Sequence, residues 1–160
     1  DGEATRFDVP FGIEGEAPTP HIAPAYETEL GAKVTVPLRA LAFGRSGDKG
    51  NHANIGIIAR RPEFFPLIAA EVTAAKVREF FAHYIEGDVQ RFVLPGFHAL
   101  NFLLEDALGG GGTASLRYDP QAKTYAQMFL DLPVEVPEAW IEEGSFLDRF
   151  VSEGKERDDP

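Results

Sequence analysis

The segment FGRSGDKGNHANIG, residues 43–56, concentrates side chains suited to ligand binding. Its four glycines allow backbone conformations with positive φ, which let amide N–H groups converge on an anion. Arg45 can bind a carboxylate or phosphate through two parallel hydrogen bonds, and Lys49 adds a point charge. One interpretation is an anion-binding loop; the other is a long hairpin loop that Asp48 and asparagine turns brace internally. The candidate ligand-binding residues are Arg45, Ser46, Gly47, Lys49, Gly50, Asn51 and Asn54.

Asp48 and His52 of the same segment are the candidate catalytic residues. An aspartate can orient an imidazole for proton transfer, although a surface histidine is the alternative interpretation. The segment is not a Walker P-loop, because Lys49 is followed by glycine and a strand instead of Ser or Thr and a helix. The four histidines lack paired spacing and the chain has no cysteine, so we predict no metal site and no cofactor.

A second group of polar side chains falls on a predicted helix, FHALNFLLEDAL, at residues 97–108. Its leucines would form a buried stripe, and His98, Asn101 and Glu105 would share the opposite face. These three side chains could line a site or form a solvated helix face. The glycines at 109–112 are expected to end the helix.

The composition limits the classes of function. A chain of 160 residues supports one compact domain, and its 44% apolar content, with 13 phenylalanines, supplies a core. The net charge of −11 argues against nucleic acid and anionic membranes, which both require basic surface. No apolar run approaches the roughly 20 residues of a membrane span. The absence of cysteine excludes a disulfide scaffold and fits a cytoplasmic protein.

The order of predicted elements indicates an α+β protein. Strands are expected at residues 34–43, 53–60 and 90–94, with helices at 62–72 and 73–85 and the third helix described above. A final hairpin, TASLRYD with TYAQMFLDLPVEV, completes the order ββααβαββ, a two-layer sandwich with helices on one face of a mixed or antiparallel sheet. Residues 1–32 are predicted to form an irregular proline- and glycine-rich arm or linker, residues 33–137 the folded domain, and residues 138–160 a short helix and acidic tail.

Three motifs resemble a known family. GRSGDKGNHANIGIIAR, then ALNFLLEDALGGGG with SLRYDPQAK, and finally LPVEVP are similar in content and order to the ferredoxin-like C-terminal domain of the acyclic terpene utilisation (AtuA-like) proteins. The resemblance covers residues 38–137. It implies a ferredoxin-like α+β domain that usually follows a much larger N-terminal domain and sometimes occurs as a separate small protein. The start at Asp1, without methionine, is compatible with a fragment of a longer chain.

The resemblance also implies a role in the breakdown of acyclic terpenes through acyl-CoA intermediates. We therefore expect residues 44–54 to bind an anionic acyl-CoA or carboxylate, in a hydratase- or lyase-type step. The alternative is a non-catalytic assembly module that docks on a larger AtuA-like domain or forms a homo-oligomer through exposed sheet edges.

Overall fold

A computed structural model describes residues 31–157, with side chains as far as residue 151. It contains six strands, four α-helices and short 3₁₀ turns. The elements in chain order are β1 (Lys33–Pro37), β2 (Ala42–Lys49), β3 (His52–Ala59), α1 (Phe65–Glu71), α2 (Ala74–Phe80), β4 (Val89–Leu94), β5 (Ala99–Leu104), α3 (Tyr125–Phe129), β6 (Pro133–Pro137) and α4 (Phe146–Arg157). The predicted α+β sandwich class is confirmed.

The main sheet has four antiparallel strands in the order β2-β3-β5-β4. Strands β2 and β3 pair without interruption from Ala42 opposite Ala59 to Lys49 opposite His52. Only Gly50 and Asn51 form the turn, and Gly50 has φ +67°, as the first central residue of a type II′ hairpin turn requires. The expectation of a long loop at residues 44–54 was therefore wrong, because most of this segment is paired strand.

Strand alternation gives the main sheet a covered face and an open face. Ile55, Leu100 and Phe102 on the covered face are fully buried. The Phe102 ring packs edge-on against Phe129 of α3, 5.8 Å away. Arg91 of β4 reaches the same side, where its Nη1 donates to the Ala69 carbonyl of α1. The helices thus cover one face, as predicted, and leave the other available to a ligand or partner.

Strands β1 and β6 form a separate antiparallel pair, from Lys33 opposite Pro137 to Pro37 opposite Pro133. A 3₁₀ turn at Leu38–Ala40 separates β1 from β2, so the single strand predicted at 34–43 is two strands. Valines of this pair join the same contiguous core as the main sheet and the helices. The small sheet therefore contributes to the common core but forms no part of the open face of the main sheet.

The helix predicted at residues 97–108 is wrong, because residues Ala99–Leu104 form strand β5. This strand lies in the middle of the sheet, where it pairs with β3 on one side and β4 on the other. Its fully buried side chains alternate at Leu100, Phe102 and Leu104. So apolar a run fits both the 3.6-residue period of a helix and the two-residue period of a strand. Hydrogen-bonded pairing with β3 on one side and β4 on the other favours the strand.

The hairpin predicted from TASLRYD and TYAQMFLDLPVEV is also wrong. The first part contains a 3₁₀ turn at Gly112–Ala114, and the second begins with helix α3. Only β6 is extended, and it pairs with β1 instead of its sequence neighbour. The observed order is βββααββαβα. It differs from the predicted order at these two places, at the division of the first predicted strand into β1 and β2, and in the final helix α4, which was predicted outside the folded domain.

Residues 1–30 and 158–160, at the two ends of the chain, lie outside the described range. The predicted C-terminal helix is present as α4, beginning at Phe146 after a 3₁₀ turn at Glu138–Trp140. The proposed arm lies outside the described residues, except for residues 31 and 32. Within residues 31–157, no helix is long and apolar enough to span a membrane.

Candidate functional site

The open face of the main sheet is organised in rows of cross-strand neighbours. The first, which we call the apolar row, consists of Phe43, Ile58, Ala99 and Leu94. The second consists of Arg45, Gly56, Asn101 and Phe92. The third consists of Gly47, Asn54, Leu103 and Gln90. The face therefore changes from apolar at one end to polar and cationic near the β2–β3 turn.

A cleft of about 390 Å³ lies at the polar end. We call it the cationic cleft; it is lined by Arg45, Ser46, Gly47, Asp48, Lys49, Asn54, Gly56 and Lys123. Three cations face one aspartate here, although the whole chain carries a net charge of −11. Since like charges repel, such a concentration is typical of a site that binds an anion.

Lys123 reaches the cationic cleft from the segment before α3. Its backbone N–H donates to Asp119 Oδ1 at 2.9 Å, and the Thr124 N–H donates to Oδ2 at 2.7 Å. Ala122, which lies between Asp119 and Lys123 in this turn, has φ +54°. Lys123 is the last residue of the SLRYDPQAK motif, but the sequence did not predict its place beside Lys49, which lies 74 positions away along the chain.

Desolvation raises the pKa of the Asp119 carboxyl, but the hydrogen bonds from Thr124, Lys123 and Gln121 outweigh it and hold that pKa below its usual value. The carboxylate is therefore the form that organises the turn. This turn carries Lys123, so the Asp119 carboxylate helps to hold the segment from which Lys123 reaches the cationic cleft.

Ser46 of β2 forms hydrogen bonds with the segment that carries Lys123. Its hydroxyl, which is buried, donates to the Ala122 carbonyl at 2.5 Å and accepts from the Ala126 N–H at 2.8 Å. The candidate ligand residue Ser46 thus lines the cleft while its hydroxyl binds the segment that holds Lys123. Its observed contacts are structural.

Gly47 provides the room that the Lys123 amine occupies. A Cβ at position 47 would lie 3.3 Å from Lys123 Nζ and 3.9 Å from Asn54 Oδ1. Gly47 is absent from the residues with positive φ, so its backbone does not require glycine. The missing side chain instead lets a cation from another segment approach the surface of β2.

Lys49 and Asn54 form a hydrogen-bonded chain across the sheet. Lys49 Nζ donates to Asn54 Oδ1 at 3.1 Å and to the Asp48 carbonyl at 3.0 Å. Asn54 Nδ2 then donates to Asn101 Oδ1 at 3.2 Å. Asn101, predicted to lie on a helix, therefore positions the Lys49 ammonium from strand β5.

The guanidinium of Arg45 differs from the Lys49 ammonium in making no hydrogen bond or ion pair within residues 31–151. The ammonium of Lys123 likewise makes none within that range. Two cations with free donors therefore face the same cleft beside a third that is held in place. A ligand with several acceptor oxygens would satisfy these donors.

Asp48 and His52 are not brought together as a hydrogen-bonded pair. Asp48 lies opposite Ala53, on the covered side of the hairpin, whereas His52 lies opposite Lys49, on the open side. His52 Nδ1 accepts a hydrogen bond from the Asp106 N–H at 3.0 Å, so its proton is on Nε2. The candidate acid–base residues therefore have separate surroundings.

Gly50 and Asn51 lie at the hairpin turn, outside the cationic cleft. Asn51 Oδ1 accepts from the Gly110 N–H at 2.6 Å, and its Nδ2 donates to Asp106 Oδ1 at 2.9 Å. A Cβ on Gly111 would lie 2.2 Å from the Gly50 carbonyl oxygen. The glycine run at 109–112, expected to end a helix, instead receives this turn at close backbone contact.

A second, apolar cleft of about 290 Å³ adjoins the cationic cleft and includes Phe43, Ile58 and Leu94 of the apolar row. Arg45 and Gly56 line both clefts. In the described part of the chain, no group of three His, Asp or Glu side chains is arranged to hold a metal ion. The site as described offers hydrogen-bond donors and apolar surface.

Comparison with known proteins identifies the family. The family model of the AtuA ferredoxin-like domain matches residues 36–135, which is more than half of the chain. No curated protein and no solved structure matches. The chain therefore belongs to the AtuA ferredoxin-like domain family, and all lining residues of the cationic cleft lie within the match.

Proposed function

We propose that this AtuA ferredoxin-like domain binds an anionic small molecule, a carboxylate or an acyl-CoA, in the cationic cleft. The observation that carries the proposal is the convergence of Arg45, Lys49 and Lys123 on one cleft. The free guanidinium can take two oxygens of a carboxylate or phosphate, and the ammonium groups add charge from two sides. Binding would offset the mutual repulsion of the three cations.

The test is calorimetric titration of the full chain with hexanoate and, separately, with hexanoyl-CoA. We expect the double variant Arg45→Ala/Lys123→Ala to lower affinity about tenfold or more, because hydrogen bonds to charged groups contribute about 1.5–3 kcal/mol each. The two probes distinguish a free carboxylate from a phosphate-bearing thioester.

A matched control removes the same two charges elsewhere. Lys33 pairs with Glu135 on the surface and Arg61 lies beside Glu63, both outside the cationic cleft. The variant Lys33→Ala/Arg61→Ala should leave affinity within about twofold of the unmodified chain, since exposed pairs contribute little. Equal affinity in both double variants would remove the cleft from ligand binding.

A hydratase- or lyase-type step would need a proton-transfer group beside the bound ligand. We assign that group to a larger AtuA-like domain or protein, because Asp48 and His52 lie on opposite sides of the hairpin. The expected result is turnover of an acyl-CoA only when such a partner is mixed with this chain. Turnover by the purified chain alone that is lost in His52→Gln would return the role to His52.

A second candidate function, the assembly module, is favoured by another observation. Leu116 and Tyr118, which lie two residues apart, are fully exposed, and Phe97 is 68% exposed. Contact with a partner would remove this apolar surface from water. We propose that they contact a larger AtuA-like domain. Light scattering and co-purification test this: a monomer that binds such a partner unchanged after Leu116→Ser/Tyr118→Ser contradicts it.

A further inference from the structure

We infer that the ligand of the cationic cleft is an amphiphile whose apolar chain lies across the sheet on the apolar row. This inference rests on the proposed function and specifies its ligand class: a carboxylate or thioester with a medium-length hydrocarbon chain.

The first observation is the continuity of the two clefts. The apolar cleft begins where the cationic cleft ends, and Arg45 lines both. Phe43, Ile58 and Leu94 are 53%, 43% and 39% exposed. Exposed apolar groups that adjoin a charged cleft favour a ligand with a charged head and an apolar chain, because each part then meets matching surface.

The second observation is the glycine between the clefts. A Cβ at Gly56 would meet only Asn101 Oδ1 at 3.8 Å and the Arg45 carbonyl oxygen at 3.9 Å, which are ordinary contacts. Gly56 is not among the residues with positive φ. Neither crowding nor backbone conformation requires glycine here, and the absent side chain leaves a low passage from the cations to the apolar row.

The third observation concerns the ends of the row. The Arg60 guanidinium lies 3.9 Å from the centre of the Phe43 ring, which fixes one end. Leu94 on the edge strand β4 is the other end. Four strands separated by about 4.8 Å give the row a length of roughly 14 Å. A hydrocarbon chain longer than that would extend past β4 into water.

The experiment is titration of the full chain with straight-chain carboxylates from butanoate to dodecanoate. We expect affinity to rise roughly two- to fourfold for each added methylene, because burying one contributes about 0.8 kcal/mol when complete. The rise should stop once the chain covers the row. Affinity for butanoate should depend on the cations of the cationic cleft and not on the apolar row.

Two variants block the passage and the row separately. Gly56→Val places a branched side chain between the clefts, and Ile58→Asn makes the row polar. Both should abolish the rise in affinity with chain length. Ile58→Asn, which lies outside the cationic cleft, should also leave butanoate affinity within about twofold, whereas Gly56 lines that cleft and its variant is judged by the loss of the rise only. Ile58→Asn serves if circular dichroism shows Gly56→Val to be unfolded. Leu116→Ser, which removes an exposed leucine elsewhere, is the matched control and should keep the rise.

The outcomes separate this inference from the proposed function. Binding that depends on Arg45 and Lys123 but not on chain length overturns the inference and leaves the proposed function intact. A rise with chain length that persists in both Gly56→Val and Ile58→Asn also overturns it. Chain-length-dependent binding whose affinity is unchanged in Arg45→Ala/Lys123→Ala overturns both the inference and the proposed function. Self-association abolished by Ile58→Asn would show that a second copy covers the row, and overturns the inference.

Discussion

At the scale of single residues, the site depends on side chains that are missing as much as on those present. Gly47 leaves space for the Lys123 ammonium, and Gly56 leaves the passage to the apolar row. Ser46 binds the turn that carries Lys123 to strand β2. The sequence analysis named Arg45, Ser46, Lys49 and Asn54 as ligand-binding candidates of segment 44–54, and the structure places these four on paired strands that line the cationic cleft.

Gly47→Ala should weaken anion binding without unfolding the protein. The new Cβ would lie 3.3 Å from Lys123 Nζ, the mobile end of a long side chain, so the ammonium shifts at little cost in stability. We expect a several-fold loss of hexanoate affinity by calorimetry and a change in unfolding free energy below about 1 kcal/mol. Gly31→Ala, whose Cβ has no neighbour within 4 Å, is the control. A loss of affinity equal to the control's contradicts the role of Gly47.

Asp119→Asn should alter the acid sensitivity of the protein. The folded-state pKa of Asp119 is depressed, so its stabilisation is present above the unfolded carboxyl pKa of about 3.9 and is lost as pH falls through the lower folded value. The difference in unfolding free energy between the two proteins should therefore narrow below about pH 4. Urea titrations across this range measure it, and a difference that widens on acidification contradicts the assignment.

At the scale of elements, the β2–β3 hairpin and strand β5 build the open face. Sequence patterns identified β3, β4 and the helices α1 and α2, because each has apolar spacing of one period and clear end signals. The β5 segment was read as a helix since its leucines fit the 3.6-residue period as well. The segment is a strand because it pairs with β3 and β4 at the same time. The periodicity of a single sequence contains no information on which strands will pair.

Two substitutions in β5 distinguish the strand from the predicted helix. The helix would bury Leu103, whereas the strand buries Phe102 fully and leaves Leu103 on the open face. Phe102→Ala should lower the free energy of unfolding by about 3–5 kcal/mol, and Leu103→Ala by about 1 kcal/mol or less. Chemical denaturation measures both, and the reverse ranking would favour the helix.

The contact between the β2–β3 turn and the glycine run gives a matched pair of substitutions. Gly111→Ala combines φ +70° with a Cβ only 2.2 Å from the Gly50 carbonyl oxygen. Gly112→Ala has φ +50° and no neighbour within 4 Å, so it should cost about 1–2 kcal/mol from conformation alone. Gly111→Ala should cost clearly more by thermal denaturation, since backbone must move. Equal losses would show that the turn does not depend on this approach.

At the scale of the whole molecule, both sheets and the helices share one contiguous core. We therefore expect a single cooperative unfolding transition. The one tryptophan, Trp140, follows β6 and stacks on Phe64 at 5.4 Å, so its fluorescence reports the region of the small sheet. Its urea midpoint should coincide with that of far-ultraviolet circular dichroism. Separate midpoints would show that the β1–β6 pair unfolds independently.

The sequence by itself determined the α+β class, the family, and the concentration of Arg45, Lys49 and four glycines in one segment, because composition, periodicity and motifs are local. Tertiary structure alone decided three things. It made the predicted loop a paired hairpin, it selected a strand at Ala99–Leu104, and it brought Lys123 beside Gly47. The hairpin depends on pairing between neighbouring segments that alternation alone did not reveal. The strand at Ala99–Leu104 and the approach of Lys123 depend on segments far apart in the chain, whose pairing and burial are settled only when those segments meet.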